Sequence, residues 1–132
     1  IPCLLGGEVV RAARLGEGPG GQFSMARELI RAACGPFVDM APETIHEHTV
    51  GCGGGGGLLT DDLIGLRVKG ALPRAQALQQ VIEQHGVTHM AAICAICKSQ
   101  FSKVLPYYGM EMDMIISVHQ LIGDALVFDS ER

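Results

Sequence analysis

An α/β domain with a parallel sheet and helices on both faces, in Rossmann-like layering, is the fold class this sequence predicts. Three observations lead there. Short apolar runs rich in β-branched residues, Val87–Ile93 and Met114–Val118, read as buried strands. Segments with apolar residues three and four apart alternate with them, as amphipathic helices do. Gly and Pro punctuate the junctions between the two kinds of segment. Strands alternating with helices build parallel sheets covered by their crossover helices. Residues 1–132 make one domain, large enough to bury a core without disulfide staples.

In chain order, Gly16–Gly21 is a Gly/Pro loop, and Gln22–Cys34 then sets Phe23, Ala26, Leu29, Ile30 and Ala33 at helical spacing until Gly35-Pro36 stops the helix. Phe37–Met40 and His48–Val50 are short strand candidates, the second running into a glycine tract. Thr60 is a good N-cap, and Asp61 and Asp62 complement the positive start of a helix reaching about Lys69. Gly70 and Pro73 punctuate, so Arg74–His85 is a separate helix, closed by Gly86, with Ala77, Leu78, Val81 and Ile82 on one face. Strand Val87–Ile93 puts Cys94 at its C-terminal end, helix Ala95–Leu105 ends at Pro106, and strand Met114–Val118 leads into a last helix, His119–Leu126. Met110, Met112 and Met114 alternate in strand fashion.

Composition removes several function classes. Ten Lys and Arg against fourteen Asp and Glu give a net charge of −4, with no basic block and few aromatics, which argues against a nucleic-acid partner. Charged residues interrupt every apolar stretch well short of the roughly 20 residues a membrane helix needs. The first residues lack a signal pattern. A cytoplasmic location without a direct membrane span is expected. Five cysteines, an odd number, favour metal ligation or redox chemistry over a disulfide framework. The opening Ile1-Pro2-Cys3, without Met, leads us to expect a C-terminal fragment of a larger protein.

Chemistry concentrates in two motifs. Cys52 lies within Gly51-Cys52-Gly53-Gly54-Gly55-Gly56-Gly57, and Cys94-Ala-Ile-Cys97 follows after 41 intervening residues. Glycines let a backbone approach a bulky inorganic group, so Gly51, Gly53, Gly54 and Gly55 are expected to cradle a cofactor beside a thiolate ligand. Loops after parallel strands share one sheet edge, so Cys52, Cys94 and Cys97 should converge there. The start of a helix, with Lys98 beside it, is expected to lower the thiol pKa of Cys94 and Cys97. A thioredoxin-like dithiol leaves Cys52 and the glycines unexplained. A phosphate loop would need Gly-Lys-Ser/Thr where Leu58-Leu59 stands. Cys34 reads as a small buried hydrophobe. His46 and His48 read either as donors tuning the site or as a solvated edge, His85 as a helix-end cation, and His89 and His119 as core histidines. Arg67, Lys69 and Arg74 either hold an acidic partner or line solvated helix faces.

These motifs resemble the cysteine-rich CCG domain of heterodisulfide reductase subunits, whose pattern is one cysteine, a distant Cys-Cys-Gly and a distant Cys-x-x-Cys. Cys3, Gly51-Cys52-Gly53 and Cys94–Cys97 correspond, and the similarity extends over nearly all of the chain. The wording of Gly53–Asp62, Arg67–Ala71 and Ile93–Phe101 is most similar to the branch found in the membrane-bound Dsr complex of dissimilatory sulfur metabolism.

The resemblance implies a [4Fe-4S] cluster of noncubane type held by Cys3, Cys52, Cys94 and Cys97, with Cys52, Cys94 and Cys97 at the catalytic centre. Such a domain cleaves or forms a disulfide-like bond. The implied substrate is the sulfur-carrier protein DsrC as disulfide or trisulfide, and the implied partner is the complex's membrane subunit, at the cytoplasmic face. The ferredoxin-type clusters that precede this region in the family have no motif here, so the fragment alone should not turn over with a natural donor. Handled in air, it is expected to lose its cluster. Gly51 replaces the first cysteine of the usual Cys-Cys pair, leaving four thiolates, the number one cluster requires. The 48 residues between Cys3 and Cys52 also exceed the usual family spacing. The alternative is a noncatalytic assembly module in which the same cysteines bind zinc, which is colourless and has no redox chemistry.

Overall fold

Two short parallel strands, β1 (Met90–Ala92) and β2 (Ile115–Ser117), form the sheet in the computed structural model, which describes residues 21–34, 36–55 and 59–126. Their register pairs Met90 with Ile115 and Ala92 with Ser117. A crossover helix, α3 (Ala95–Val104), joins them, so the predicted strand–helix–strand unit forms. Three helices surround it: α1 (Gly21–Cys34) packs on α4 (Val118–Ala125), and α2 (Ile64–His85) packs on α3. Phe101, Val104 and Leu105 meet Ala71, Ala75 and Leu78 of α2 and Met90, Ala92 and Ile115 of the strands in one apolar core. Ser117 starts α4 by accepting the Gln120 N–H on its hydroxyl at 3.1 Å.

The sheet is smaller than expected. Among the described residues it has two strands, and the architecture is mixed α/β and mostly helical rather than a doubly wound layering. Neither Phe37–Met40 nor His48–Val50 is a strand; the region is irregular, with 3₁₀ turns at Pro42–Thr44 and His46–His48. A different donor takes the place of a ladder. Arg74, on α2, is 1% exposed and donates to the Thr44 carbonyl at 2.8 Å and to the Val50 carbonyl at 3.0 and 3.2 Å, with the Met40 sulfur also beside its guanidinium. One buried side chain thus satisfies carbonyls that a neighbouring strand would otherwise have had to pair.

The break at Gly70 and Pro73 does not occur either, because α2 runs through both for 22 residues. Arg67, Ala71, Arg74, Ala75 and Leu78 form a continuous buried stripe across the predicted junction. Burying that stripe outweighs the local helix penalties of about 1 kcal/mol for Gly and about 3 kcal/mol for Pro. Thr60 makes no capping bond with its side chain; a 3₁₀ turn, Asp61–Leu63, precedes α2, whose N-cap is Leu63. Gly86 closes α2 in the left-handed conformation, its N–H on the Ile82 carbonyl at 2.8 Å. Met112–Met114 is a 3₁₀ turn, with Met110 buried and Met112 exposed, so the methionine alternation does not mark a strand.

Segment 36–41 is tied to α1 by an ion pair. Arg27 Nε and Nη2 donate to the Asp39 carboxylate at 2.5 and 3.1 Å, and the Met40 N–H donates to it at 3.0 Å. Burial alone would raise the Asp39 pKa, but the Arg27 hydrogen bond and charge together with the Met40 N–H hold it below the usual carboxylate range. A carboxyl more acidic when folded contributes stability above its unfolded pKa, and that contribution is lost as pH falls through the folded value. Urea unfolding of Asp39→Asn beside the native chain should therefore show the variant less stable at pH 7. The gap should close between about pH 5 and pH 2. A gap that stays constant would show that the charge on Asp39 contributes nothing.

Candidate metal centre

Cys52 is buried, 5% exposed, at the head of the glycine tract, and its sulfur lies 3.2 Å from the sulfur of Cys97, itself 1% exposed. Two of the three expected cysteines therefore meet. The strand–helix–strand unit brings this about: Cys94 follows β1 as the N-cap of α3, its carbonyl accepts the N–H groups of Cys97 and Lys98 at 3.1 Å each, and Cys97 is carried inward on the first turn. Cys94 is half-buried and close enough for its charge to act on Cys52. Cys52 and Cys94 are free thiols, whereas Cys97 is disulfide-bonded and serves as a ligand only once reduced. Cys3 lies outside the described residues. Among the described residues no three Cys, His, Asp or Glu side chains stand together at metal-ligand geometry.

The glycines divide by role. Gly53 adopts φ +78°, and a Cβ there would stand 2.5 Å from the Gly70 carbonyl carbon and 2.6 Å from the Ala71 nitrogen of α2. Gly54 is pressed against the Gln100 and Leu59 side chains, with Cβ distances of 3.1 Å. These two glycines let the loop lie on α2 and α3. At Gly51 and Gly55 a Cβ would meet nothing within 4 Å among the described residues.

Electrostatics at Cys52 run against a ready thiolate. Burial pushes its thiol pKa up, the Gly54 N–H on the sulfur at 3.4 Å pulls it down, and the net direction is up. Ligation at this site has to remove that proton. The N–H on sulfur is the kind of contact that tunes an iron–sulfur potential.

Three further residues fix the loop: Gln100, which the sequence did not single out, and Arg67 and Arg74, which it offered only as contacts for an acidic partner or as solvated. Gln100, fully buried on the same face of α3 as Cys97, donates from its amide nitrogen to the carbonyls of Cys52 at 3.1 Å and Arg67 at 3.2 Å. Its oxygen accepts from Arg67 Nε at 2.7 Å. Arg67, 1% exposed, reaches on to the carbonyls of Leu59 at 3.2 Å and Thr60 at 3.4 Å. Arg74 secures Val50 on the other flank of Cys52. Arg67 and Arg74 are thus neither solvated nor open to an acidic partner, while Lys69 is exposed. Their seven-residue spacing around Gly70, on the apolar stripe of α2, was the available signal.

The other singled-out residues lie apart from this centre. His46 and His48 sit exposed on a 3₁₀ turn; His89 and His119 are exposed rather than in the core, with the Thr88 hydroxyl bonded to His89 Nδ1 at 2.9 Å. Cys34 is half-buried and lines a cavity of about 520 Å³ with Phe37, Leu78, Val81, Met90 and Ile116. That cavity opens beside the residues leading into β1, the opposite end of the strand from Cys94.

The fold and the site define a small α/β domain with a buried cysteine pair between a glycine loop and a helix start. The chain belongs to the family of Hdr-like iron–sulfur oxidoreductase subunits. Over 107 residues, 81% of this chain, it is 36% identical to the Hdr-like menaquinol oxidoreductase iron-sulfur subunit of Archaeoglobus profundus. It is 36% identical over the same length to iron-sulfur subunit 2 of the corresponding Archaeoglobus fulgidus oxidoreductase. The chain spans about a fifth of these relatives, 19% of each. No protein-family model matches the chain, and no solved structure does. Among the described residues, no helix is long and apolar enough to cross a membrane.

Proposed function

We propose that this chain is the cysteine-rich, cluster-holding part of an Hdr-like iron–sulfur oxidoreductase subunit. The observation that carries the proposal is the buried 3.2 Å approach of Cys52 and Cys97 sulfur atoms, with Cys94 in electrostatic range, in a chain similar to subunits named for iron–sulfur content. The donor set fits such a group: these thiolates are the right ligand type, and no described residue would crowd a side chain at Gly51 or Gly55. Cys52, Cys94 and Cys97, with Cys3, are the proposed ligands of a [4Fe-4S] cluster.

When bound, that cluster would supply single-electron transfer to or from a sulfur substrate. The chain's own part is to exclude water from Cys52 and Cys97 and to hold a hydrogen-bond donor, the Gly54 N–H, on the Cys52 sulfur. At the finer level we propose a DsrK-like subunit acting on a disulfide or trisulfide of the sulfur carrier DsrC, docked to a membrane subunit at the cytoplasmic face. The sequence likeness in Gly53–Asp62 and Ile93–Phe101 supports this reading. The relatives' names raise menaquinol as the source of electrons in the parent complex.

The test is anaerobic reconstitution with iron and sulfide, reading metal content and the electron paramagnetic resonance spectrum beside a Cys52→Ser, Cys94→Ser double variant. About four irons per chain, lost in the variant, is the expected result for a four-cysteine cluster. One zinc per chain with no iron uptake would replace the proposal with the structural module.

A further inference from the structure

We propose that Gln100 and Arg67 are positioning residues for the cysteine centre, acting as a staple that closes the glycine loop and sets Cys52 against Cys97. The inference rests on the cluster reading only for its consequence on metal, because the staple itself is a matter of hydrogen bonds in this chain. Residue 52 is attached to α3 at two points. Its sulfur meets Cys97, and its carbonyl meets the amide of Gln100, one helical turn further along the same face. The far end of the loop is held by the same assembly, since Arg67 binds the Gln100 oxygen and the Leu59 and Thr60 carbonyls together. Cys52 on one side of the tract and Leu59 and Thr60 on the other are therefore bonded to one pair of side chains.

The chemistry of the pair is specific. Both amide hydrogens of Gln100 and its oxygen are engaged, so a carboxylate in its place would lose both donors and turn an acceptor toward the Cys52 carbonyl. The five donors of a guanidinium, set in a planar fork, let Arg67 serve a side chain and two carbonyls at once, which an ammonium does not reproduce. Burial makes the arrangement consequential at Gln100, because the Cys52 and Arg67 carbonyls it serves are buried and have no water to replace a lost donor. Gly54, packed on the Gln100 side chain, and Gly53, packed on α2, keep the loop close enough for the staple to reach.

The deciding experiment compares the reduced chain with Gln100→Glu and Arg67→Lys, and with Val81→Ala as a core control remote from the loop. Iodoacetamide labelling of Cys52 is followed by peptide mass, with thermal unfolding of each protein alongside. Loss of the staple should speed Cys52 labelling by about tenfold beyond the control, through local opening rather than global unfolding. Arg67→Lys, which keeps the charge, should show an intermediate rate; it also decides the matter if Gln100→Glu does not fold. Labelling of Cys52 no faster than in Val81→Ala would overturn the proposal. In a second arm the same proteins are reconstituted with iron and sulfide. If the native chain loads iron, the variants should show a shifted paramagnetic spectrum, and an unchanged spectrum at full loading would overturn the positioning role. If the native chain loads none, the cluster reading fails, and the labelling ratio alone still decides whether the staple sets Cys52.

Discussion

Gly53→Ala is expected to cost about 3 kcal/mol or more of folding stability, while Gly51→Ala, two residues earlier, should change it by less than about 0.5 kcal/mol. The contrast isolates tertiary packing from glycine content. At position 53 the left-handed backbone, φ +78°, strains an L-residue by roughly 1–2 kcal/mol. The added methyl would also stand 2.5 Å from backbone atoms of α2, which have no flexible end to yield. Overpacking of that kind typically adds about 1–3 kcal/mol. At position 51 no atom of the described residues lies within 4 Å of the same methyl, and alanine there also reduces the freedom of the unfolded chain. Urea unfolding of both variants checks the pair. Equal losses would mean that the loop does not rest on Gly70 as described.

Arg74→Met should destabilise the chain by about 3 kcal/mol in the same assay. The side chain is 1% exposed and bonds the Thr44 and Val50 carbonyls. Methionine fills much of the volume but leaves both carbonyls without that donor, and the cost of unpaired buried acceptors dominates. Burial lowers the guanidinium pKa to about 10, with the Asp39 charge opposing the drop, so Arg74 is still a cation at neutral pH. Arg74→Lys should recover only part of the loss, because an ammonium does not present the planar fork that reaches Thr44 and Val50 together. A loss below about 1 kcal/mol for Arg74→Met would show that water or a rearranged backbone satisfies those carbonyls.

Both substitutions bear on the cysteine centre, since Gly53 follows Cys52 and Arg74 secures Val50 before it. With Gln100 and Arg67 they account for how an irregular loop holds a cysteine at a fixed place. Most of the residues involved lie on α2 or α3. Regular elements position the site, and the glycine tract follows them.

Local patterning was enough to determine the helix over Gln22–Cys34, the strand–helix–strand unit around Cys94 and the helix stop at Gly86, because periodicity and capping act within a few residues. It also singled out Cys52, Cys94 and Cys97, and the fold brings Cys52 and Cys97 together. Only the tertiary structure decided three things. Pro73 and Gly70 remain inside one helix, because a buried stripe on either side outweighs their local penalties. His48–Val50 does not pair as a strand, and its Val50 carbonyl is satisfied by Arg74, 24 residues further along the chain. Arg67, which in the sequence either held an acidic partner or lined a solvated helix face, and Gln100, which no local pattern singled out, become the buried staple of the loop because they are brought together across 33 residues. Short-range physics wrote the elements and the ligand types; long-range burial of polar groups, whose partners no local pattern reveals, determined where the cysteines stand.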